Sequence, residues 1–404
     1  MKNKITLKKS KKTAGERKCT VPFVTKKADG KYTLTSFGRV AVICLSVIVV
    51  LVAALIISIN SLISYYYNLM EYTDISKETV MGDAQISDYL ASLETEDPTV
   101  TNSHEEGEIS QQVGGAVSDV ENIKENISGI QNILLLGVDN SGSSGSGNTV
   151  HSYTKNTDSM IVVTINEKAK RIVLTSIMRD SYVEIVKPNG SIVNGRINTA
   201  YIYGGYTGLF NTIERNFAID VDRFVQVDFS SFMDIVNIIG GVDIYVTREE
   251  AIEMNNVLEG INEIMGHSIN ADKLESTAAG TKHLNGKQAL SYARIRHVTG
   301  SDFGRTERQR KLIMEIAAEA KTLSVTQLNN LLTSVLKKVS TNLTQSEVTS
   351  LMANAVSYLG YDIESFRIPA DKTFRDIVVE KKQMLWVDFV ENYKLWKDLV
   401  TGDQ

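Results

Sequence analysis

The feature that most constrains this chain is an uncharged stretch near its N-terminus. Between Val40 and Met70 there is no Asp, Glu, Lys or Arg, and Val40–Ile59 is almost entirely apolar. About 20 residues at the helical rise of ~1.5 Å cover the ~30 Å core of a bilayer. Tyrosines at 65–67 follow, where an aromatic belt meets the membrane surface. The apolar run is longer than that of a cleaved signal peptide, so the sequence predicts a transmembrane signal anchor at residues 40–64.

Charge is distributed unevenly on the two sides of this segment. Residues 1–39 hold 12 Lys and Arg against two acids, whereas residues 71–128 hold 14 acids against two lysines. The positive-inside rule places residues 1–39 as a basic cytoplasmic tail in a single-pass cell-membrane protein, with everything after the span extracellular. A nucleic-acid-binding arm is the alternative interpretation of the tail. Because lysines beside a span are usually topology signals, we expect no nucleic-acid partner.

The composition of the outer part excludes thiol chemistry and predicts a spacer. The two cysteines, Cys19 and Cys44, lie in the tail and the span, so the outer part can form no disulfide. Residues 65–128 are acidic and polar, which predicts an extended or disordered stalk flanked by short helical patterns.

The remaining chain alternates between strand and helix patterns. Apolar and β-branched runs predict strands at Asn132–Asp139, Met160–Ile165, Arg171–Ile177, Arg223–Phe229 and Val242–Val246. Helical patterns follow at Gly286–Tyr292, Phe303–Leu323, Thr326–Val339 and Gln345–Leu359. This order predicts an α/β fold, an α/β/α sandwich, at residues 129–323, with a C-terminal helical extension at 324–404.

Common catalytic motifs are missing from the sequence. There is no GxGxxG, Walker loop, HExxH or GxSxG, and the five histidines are far apart. Nucleotide-dependent, zinc-protease and serine-esterase chemistry are therefore disfavoured.

An arginine-rich stretch between Ala293 and Leu312 is the most informative part of the domain. Arg294 and Arg296 are two residues apart, so in an extended segment their side chains point the same way. Asp302 is placed to cap the helix that follows.

On that helix the apolar periodicity makes Arg305 and Gln309 part of the face that carries Ile313 and Ile316. A buried guanidinium needs a carboxylate or an anion beside it, and its fork suits phosphate oxygens. Arg308 is about 60° off this face, and we expect it to be solvated. The alternative is that these arginines pair with local acids in a purely structural network.

A second group of charged residues lies at predicted strand ends. Arg179 and Asp180 follow one strand, Asp139 ends another, and Asp158 precedes the next. Strand ends are where α/β folds place ligands, and two carboxylates suit one Mg²⁺ (or Mn²⁺) ion. Arginines with a bound magnesium favour phosphoryl or pyrophosphate chemistry without a protein nucleophile.

Seven motifs in order resemble those of the LytR-CpsA-Psr family. They are LLLGVDN, NTDSMIVVTIN, VLTSIMRD, RINTAYIYGG, VDFSSFMDIVNIIGGVDI, LNGKQALSYARIR and GSDFGRTERQR, which cover about residues 132–320. The resemblance implies an extracytoplasmic α/β/α catalytic domain. It implies transfer of an undecaprenyl-diphosphate-linked glycopolymer (wall teichoic acid, capsule or another wall polysaccharide) to peptidoglycan, with release of undecaprenyl phosphate. Such a reaction belongs to a Gram-positive envelope.

The resemblance also implies roles for individual residues. Asp139 and Asp158 match the magnesium-site acids, and Arg179 with Asp180 matches an Arg-Asp pair. The diphosphate clamp matches Arg294, Arg296, Arg305 and Gln309, with Asp302 as its acid, and Asn198 and Tyr201 match an Asn-x-x-Tyr segment. The lipid tail is expected in an apolar groove between sheet and helices.

Two positions depart from the family pattern. Asn156 stands where an arginine is usual, and Met178 stands where the family has proline. The general base stays open between Asp180 and Asp302. Alternative functions are a polyprenyl pyrophosphatase or lipid-binding scaffold, and a transcriptional attenuator of envelope genes.

Overall fold

The computed structural model describes residues 24–26, 32–34, 51, 54, 58–78, 80–93, 106–138, 159–298 and 301–402. The chain divides into two units, Met1–Ile63 and Ser64–Gln404. In the first, β1 (Val24–Lys26) pairs antiparallel with β2 (Tyr32–Leu34). None of the described helices combines the length and apolar content needed to cross a bilayer. Most of the predicted anchor at residues 40–64 lies outside the described residues.

The second unit alternates strands with helices. Its strands are β3 (Glu71–Tyr72), β4 (Ile130–Val138), β5 (Ser159–Asn166), β6 (Arg171–Ile177), β7 (Tyr182–Val186), β8 (Ile192–Arg196), β9 (Arg223–Asp228), β10 (Val242–Val246), β11 (Gly280–Leu284), β12 (Val339–Thr341), β13 (Asp362–Ile368), β14 (Phe374–Val379) and β15 (Lys382–Val387). Its helices are α1 (Asp83–Leu93), α2 (Glu106–Ile123), α3 (Ala200–Phe217), α4 (Phe229–Ile238), α5 (Arg248–Ile264), α6 (Gly286–Arg294), α7 (Ser301–Ala320), α8 (Val325–Val335), α9 (Gln345–Tyr358) and α10 (Phe389–Thr401).

A mixed sheet of seven strands organises the described part of this unit, in the order β13-β6-β5-β4-β9-β12-β3. β4 and β9 run parallel, as do β6 and β13, whereas β5 is antiparallel to both of its neighbours. The antiparallel β5–β6 hairpin confirms the prediction made from two β-branched runs joined by a short polar turn.

Helices cover both faces of the sheet because its strands are apolar on both sides. Leu134 and Leu136 of β4 belong to a core that includes apolar residues of α2, α3 and α10. Leu135, between them, lines the opposite face together with residues of α4, α6 and α7. The prediction of a mixed α/β fold is confirmed.

The predicted stalk differs from the structure at α2. Ile109, Val113, Val117 and Val120 are fully buried and belong to the main core. Their spacing of four, four and three residues makes one apolar stripe on a helix. The high charge density led us to predict an extended spacer, but the charges occupy the other face of α2.

The C-terminal part also differs from the predicted helical extension. β12 and β13, after residue 324, are strands of the central sheet, and β14 pairs antiparallel with β15. α10 contributes Phe389 and Trp396 to the main core. Residues 324–402 therefore complete the sheet and its core.

Candidate functional site

The functional site lies at one end of the central strands, where β4, β6, β9 and β13 end and β5 starts. Gly137 is paired with Ser159, Val138 with Asp228, and Ile177 with Ile368. The last residues of β4, β6, β9 and β13 and the first residue of β5 therefore lie at the same end of the sheet. Of the site residues predicted there, Asp139 and Asp158 lie outside the described residues, as does Asn156.

Two carboxylates and three guanidinium groups form a network at this end of the sheet. Arg179 Nε lies 2.9 Å from Asp302 Oδ2 and 3.3 Å from Asp180 Oδ2. Arg305 Nη1 is 3.3 Å from Asp302 Oδ1. On the other side, Arg196 Nη1 is 3.6 Å from Asp180 Oδ1. The structure thus brings together Arg179, Asp180, Asp302 and Arg305, all four of which were predicted site residues.

The turn that carries Arg179 and Asp180 is held by backbone hydrogen bonds. Ser181 N–H donates to Met178 O at 3.1 Å, which closes the turn. Met178 N–H donates to Ile368 O at 2.8 Å, and Leu385 N–H donates to Asp180 O at 2.9 Å. A proline at position 178 would have no N–H to donate. The methionine in place of the family's proline therefore adds a backbone hydrogen bond between the turn and β13.

Burial raises the pKa of Asp180 above its ordinary value of 3.8, and the neighbouring Asp302 carboxylate raises it further. The Arg179 and Arg196 guanidinium groups oppose this shift of the Asp180 pKa. A carboxyl group with a raised pKa is a better proton acceptor once it is ionised. Two adjacent carboxyl groups favour holding one proton between them.

α7 places its first turns against the network. Arg305 is only 3% exposed, which confirms that it extends the buried face of the helix. Gln309 is half-buried; its Oε1 accepts from Ser159 Oγ at 3.1 Å, and its Nε2 donates to Ala293 O at 3.4 Å. Gln309 therefore ties α7 to the start of β5 and to α6.

The prediction that Arg308 is solvated is wrong. Arg308 is 5% exposed, and its Nε lies 2.7 Å from Glu250 Oε1. A capping box in which the Thr247 side chain accepts from Glu250 N–H starts α5 and fixes Glu250 in its first turn. Arg310 is also buried, and its Nε donates to Ser365 Oγ at 2.6 Å. The structural-network interpretation thus describes Arg308, which pairs with an acid, whereas Arg310 is held by a serine hydroxyl.

The other arginines of the stretch line a cleft of about 430 Å³. Arg294 is the last residue of α6, with its guanidinium 4.8 Å from the centroid of the Phe229 ring. Arg296 follows the helix and is exposed, and Arg305 forms the inner wall. Arg294 ends a helix, contrary to the predicted extended segment, yet it lines the same cleft as Arg296.

An apolar groove of about 170 Å³ adjoins this cleft. Its walls are the sheet, through Leu135 and Val225, and the helices α4, α6 and α7, through Phe232, Leu290 and Leu312. Gly137, Ser159 and Gln309 line both cavities, so the arginine-lined cleft leads directly into the groove.

Two further predicted site residues, Asn198 and Tyr201, lie in different surroundings. Asn198 N–H donates to Arg179 O at 3.4 Å, and Asn198 Oδ1 is buried with no hydrogen-bond partner among the described residues. Tyr201 is 2% exposed and packs in the core, with its ring 5.0 Å from that of Tyr206. The structure thus places Asn198 beside the network and Tyr201 within the core.

Arg196 is the network residue that the sequence reasoning missed. It ends β8 and pairs across the hairpin with Tyr182, two residues after Asp180. It is the first residue of the RINTAYIYGG motif, in which only Asn198 and Tyr201 were predicted to have a role. A predicted β7–β8 hairpin would have brought it opposite the turn that carries Arg179 and Asp180.

The described acids give no support to a metal site. Within the parts of the chain that the structure describes, no group of three His, Cys, Asp or Glu could hold a metal ion. Asp180 and Asp302 face arginines, and Asp228 Oδ1 accepts from Ser231 N–H at 2.7 Å as a helix cap. Magnesium at Asp139 and Asp158 stays a prediction.

Comparisons with known proteins identify the family of this chain and agree with its fold. The chain matches the model of the LytR_cpsA_psr family over residues 87–399. A Bacillus cereus protein named polyisoprenyl-teichoic acid–peptidoglycan teichoic acid transferase TagU is 34% identical over 241 residues, which are 59% of this chain and 68% of that protein. The structure of gbs0355 from Streptococcus agalactiae is 26% identical with a TM-score of 0.52, over 70% of this chain and 89% of its own. A structure titled TagT bound to LIIa-WTA is 25% identical with a TM-score of 0.50, over 70% and 95%. By its family match and its relatives, the chain belongs to the LytR_cpsA_psr family.

Proposed function

We propose that the chain is a membrane-anchored phosphotransferase that moves a glycopolymer from undecaprenyl diphosphate to peptidoglycan. The relatives support the coarser statement that the chain is a transferase, as predicted. The observation that carries the finer proposal is the continuity of the arginine-lined cleft with an apolar groove. A diphosphate joined to an isoprenoid chain needs both surfaces side by side.

The cleft supplies the charge that a diphosphate requires. Arg294, Arg296 and Arg305 can each offer paired N–H donors to phosphate oxygens. Arg305 already pairs with Asp302 and is held rigidly in the wall, so it reorganises little when the donor binds. The first isoprenoid units would enter the groove lined by Leu135, Phe232 and Leu290.

The reaction forms one P–O bond and breaks another. A peptidoglycan hydroxyl attacks the phosphorus that carries the sugar, and the bond from that phosphorus to the bridging oxygen breaks. The glycopolymer is left on peptidoglycan as a phosphodiester, and undecaprenyl phosphate departs. The hydroxyl proton passes to the Asp180–Asp302 pair, for which Asp180 is suited by its raised pKa.

Two parts of the proposal concern residues outside those described. A Mg²⁺ (or Mn²⁺) ion held by Asp139 and Asp158 would neutralise charge on the diphosphate when bound. The basic tail, anchor and outward-facing domain would keep the site at the outer membrane surface, where the lipid-linked donor lies. The donor polymer is a teichoic acid, capsule or other wall polysaccharide.

The test compares site variants with a matched surface arginine. Full-length protein in detergent is given a lipid-linked donor and a peptidoglycan acceptor, and undecaprenyl phosphate release is measured. We expect Arg296→Ala to lower turnover by about 100-fold, the size expected for lost transition-state charge stabilisation. We expect Asp302→Asn to lower turnover by a similar factor of about 100, because it removes one carboxylate of the proton-accepting pair. Arg248→Ala, on an exposed residue that lines neither cavity, should keep full turnover.

Other outcomes separate the alternatives. Undiminished turnover in both site variants would refute the site assignment. Equal phosphate release without acceptor would indicate the pyrophosphatase. Deletion of residues 2–36 should leave polymer attachment intact; loss of promoter regulation with attachment unchanged would favour the transcriptional attenuator.

A further inference from the structure

A second, larger cleft lies on the other side of the Asp180 turn. Its volume is about 590 Å³, and its lining includes α1, β8, part of α3 and the turn between β14 and β15. Its surface is mainly polar, with Ser87, Asn194 and Tyr203 among the lining residues. Two ion pairs also line it, Lys187 with Asp83 and Lys382 with Glu380. None of the predicted site residues lines this cleft.

Arg196 connects this cleft to the carboxylate network. It lines the cleft, and its Nη1 is 3.6 Å from Asp180 Oδ1. Arg305 connects the first cleft to the same network through Asp302. The two clefts therefore approach one pair of carboxyl groups from opposite ends of a continuous chain of ion pairs. A transferase has two substrates, and each must reach the same reacting atoms.

The chemistry of the second cleft suits a carbohydrate better than a lipid. Lys187 Nζ stands 5.5 Å from the centroid of the Tyr203 ring and 2.8 Å from Asp83 Oδ1. Asn194 Oδ1 is buried and has no hydrogen-bond partner among the described residues. An amide oxygen can accept from an acetamido N–H, and the N–H groups of lysines and arginines can donate to hydroxyl and carboxylate oxygens.

We propose that this second cleft binds the acceptor, as a glycan strand of amino sugars that bear carboxylate groups. The inference rests on the proposed transfer to peptidoglycan and assigns its acceptor to a separate surface. The strand would lie between α1 and the β14–β15 turn, with one sugar hydroxyl directed past Arg196 to Asp180. Donor and acceptor then meet only at the Asp180–Asp302 pair.

A variant that fills the cleft without removing a contact gives the sharpest test. Ser87 is exposed on α1 and lines the cleft, whereas Asp88 is exposed on α1 and does not. Full-length Ser87→Trp and Asp88→Trp proteins are compared with the unsubstituted chain. The acceptor probe is a soluble oligomer of alternating N-acetylglucosamine and N-acetylmuramic acid that carries its stem peptides.

We expect Ser87→Trp to raise the acceptor KM by about ten-fold or more, equivalent to ~1.4 kcal/mol of lost binding. Donor affinity, measured separately, should be unchanged in both variants, which also reports that they fold. An acceptor KM for Ser87→Trp equal to that of Asp88→Trp would overturn the proposal.

Direct binding of the oligomer without donor separates the two proposals. If Ser87→Trp loses oligomer binding and Asp88→Trp keeps it, the acceptor cleft is supported. Absence of transfer by the unsubstituted chain would contradict only the proposed function. Normal transfer with unchanged oligomer binding in Ser87→Trp contradicts only the acceptor cleft.

Discussion

Replacing Glu78 by glutamine tests how a half-buried carboxyl group holds the N-terminal segment of the domain against α3. Glu78 Oε2 accepts from Tyr206 N–H at 2.9 Å. The carboxyl group packs on Gly205, which interrupts α3 with φ 59° and ψ −153°. Burial raises the pKa of Glu78 from 4.5 to about 7. Glutamine keeps an oxygen for the hydrogen bond but cannot ionise.

The magnitude follows from the difference between the two pKa values. A change from 4.5 to about 7 corresponds to roughly 3 kcal/mol at ~1.36 kcal/mol per pKa unit. Because the side chain is still partly open to solvent, screening reduces this to about 1–2 kcal/mol. The folded-state pKa is raised, so the stabilising protonated form is fully present below pH 4.5 and is lost as pH rises through about 7.

The assay is urea unfolding of the full-length protein in detergent at pH 5 and pH 8. We expect the unfolding free energy of Glu78→Gln to be close to that of the unsubstituted chain at pH 5, where only a small part of the stabilisation has been lost, and to exceed it by about 1–2 kcal/mol at pH 8. Glu121→Gln, on an exposed position of α2, is the control and should give the same small difference at both pH values. A Glu78→Gln difference that does not change with pH, or one that falls at pH 8, would refute the reasoning.

Three further predictions concern the kinked helix, a buried ion pair and the carboxyl pair. Gly205→Ala should lower the unfolding free energy by about 2–4 kcal/mol, since its positive φ and the overlapping carboxyl group both oppose a Cβ; unchanged urea unfolding would contradict this. Arg308→Ala should cost about 3–5 kcal/mol because it leaves Glu250 buried without its partner, and Arg308→Met with Glu250→Leu should recover most of the loss. In the pH–rate profile, the transfer rate should rise with pH through the raised pKa of Asp180. Asp302→Asn removes a neighbouring negative charge and should therefore move this rise to lower pH. A rise at the same pH in both proteins would exclude Asp180 as the base.

Two strands could be predicted to the residue because their own side chains carry the strand pattern. β6 (Arg171–Ile177) and β10 (Val242–Val246) begin and end at the predicted residues. Both are short, β-branched runs between turn residues, where local preference and tertiary burial agree. β12 is only three residues long, and its pairing partners, β9 and β3, lie far away in the chain.

A site residue could be predicted where the burial of its side chain depends on its own helix alone. The periodicity of α7 is sufficient to place Arg305 on its buried face. The same periodicity placed Arg308 in solvent, because the acid that pairs with it comes from α5, 58 residues earlier. Periodicity within one helix carries no information about which helix packs against its flank.

The stalk prediction failed for a different physical reason. Average charge over residues 65–128 hides the regular apolar stripe of α2, whose Val113 and Val117 are fully buried. The average charge of a segment predicts an extended chain only where no continuous apolar face is present. An amphipathic helix can carry the same charges on one face and still join a core.

The central sheet has its two edge strands far apart in the chain. β3 pairs with β12 through Glu71 and Ser340, 269 residues apart, and β13 closes the opposite edge only at Asp362–Ile368. Ribosomal synthesis must therefore pass residue 368 before the sheet can be complete, and contacts over such separations form slowly. A shortened chain that keeps only the matched residues 87–399 lacks β3 and leaves the outer side of β12 unpaired. An unpaired sheet edge is a template for self-association, so such a trimmed protein should aggregate more readily than one that retains residues 64–78.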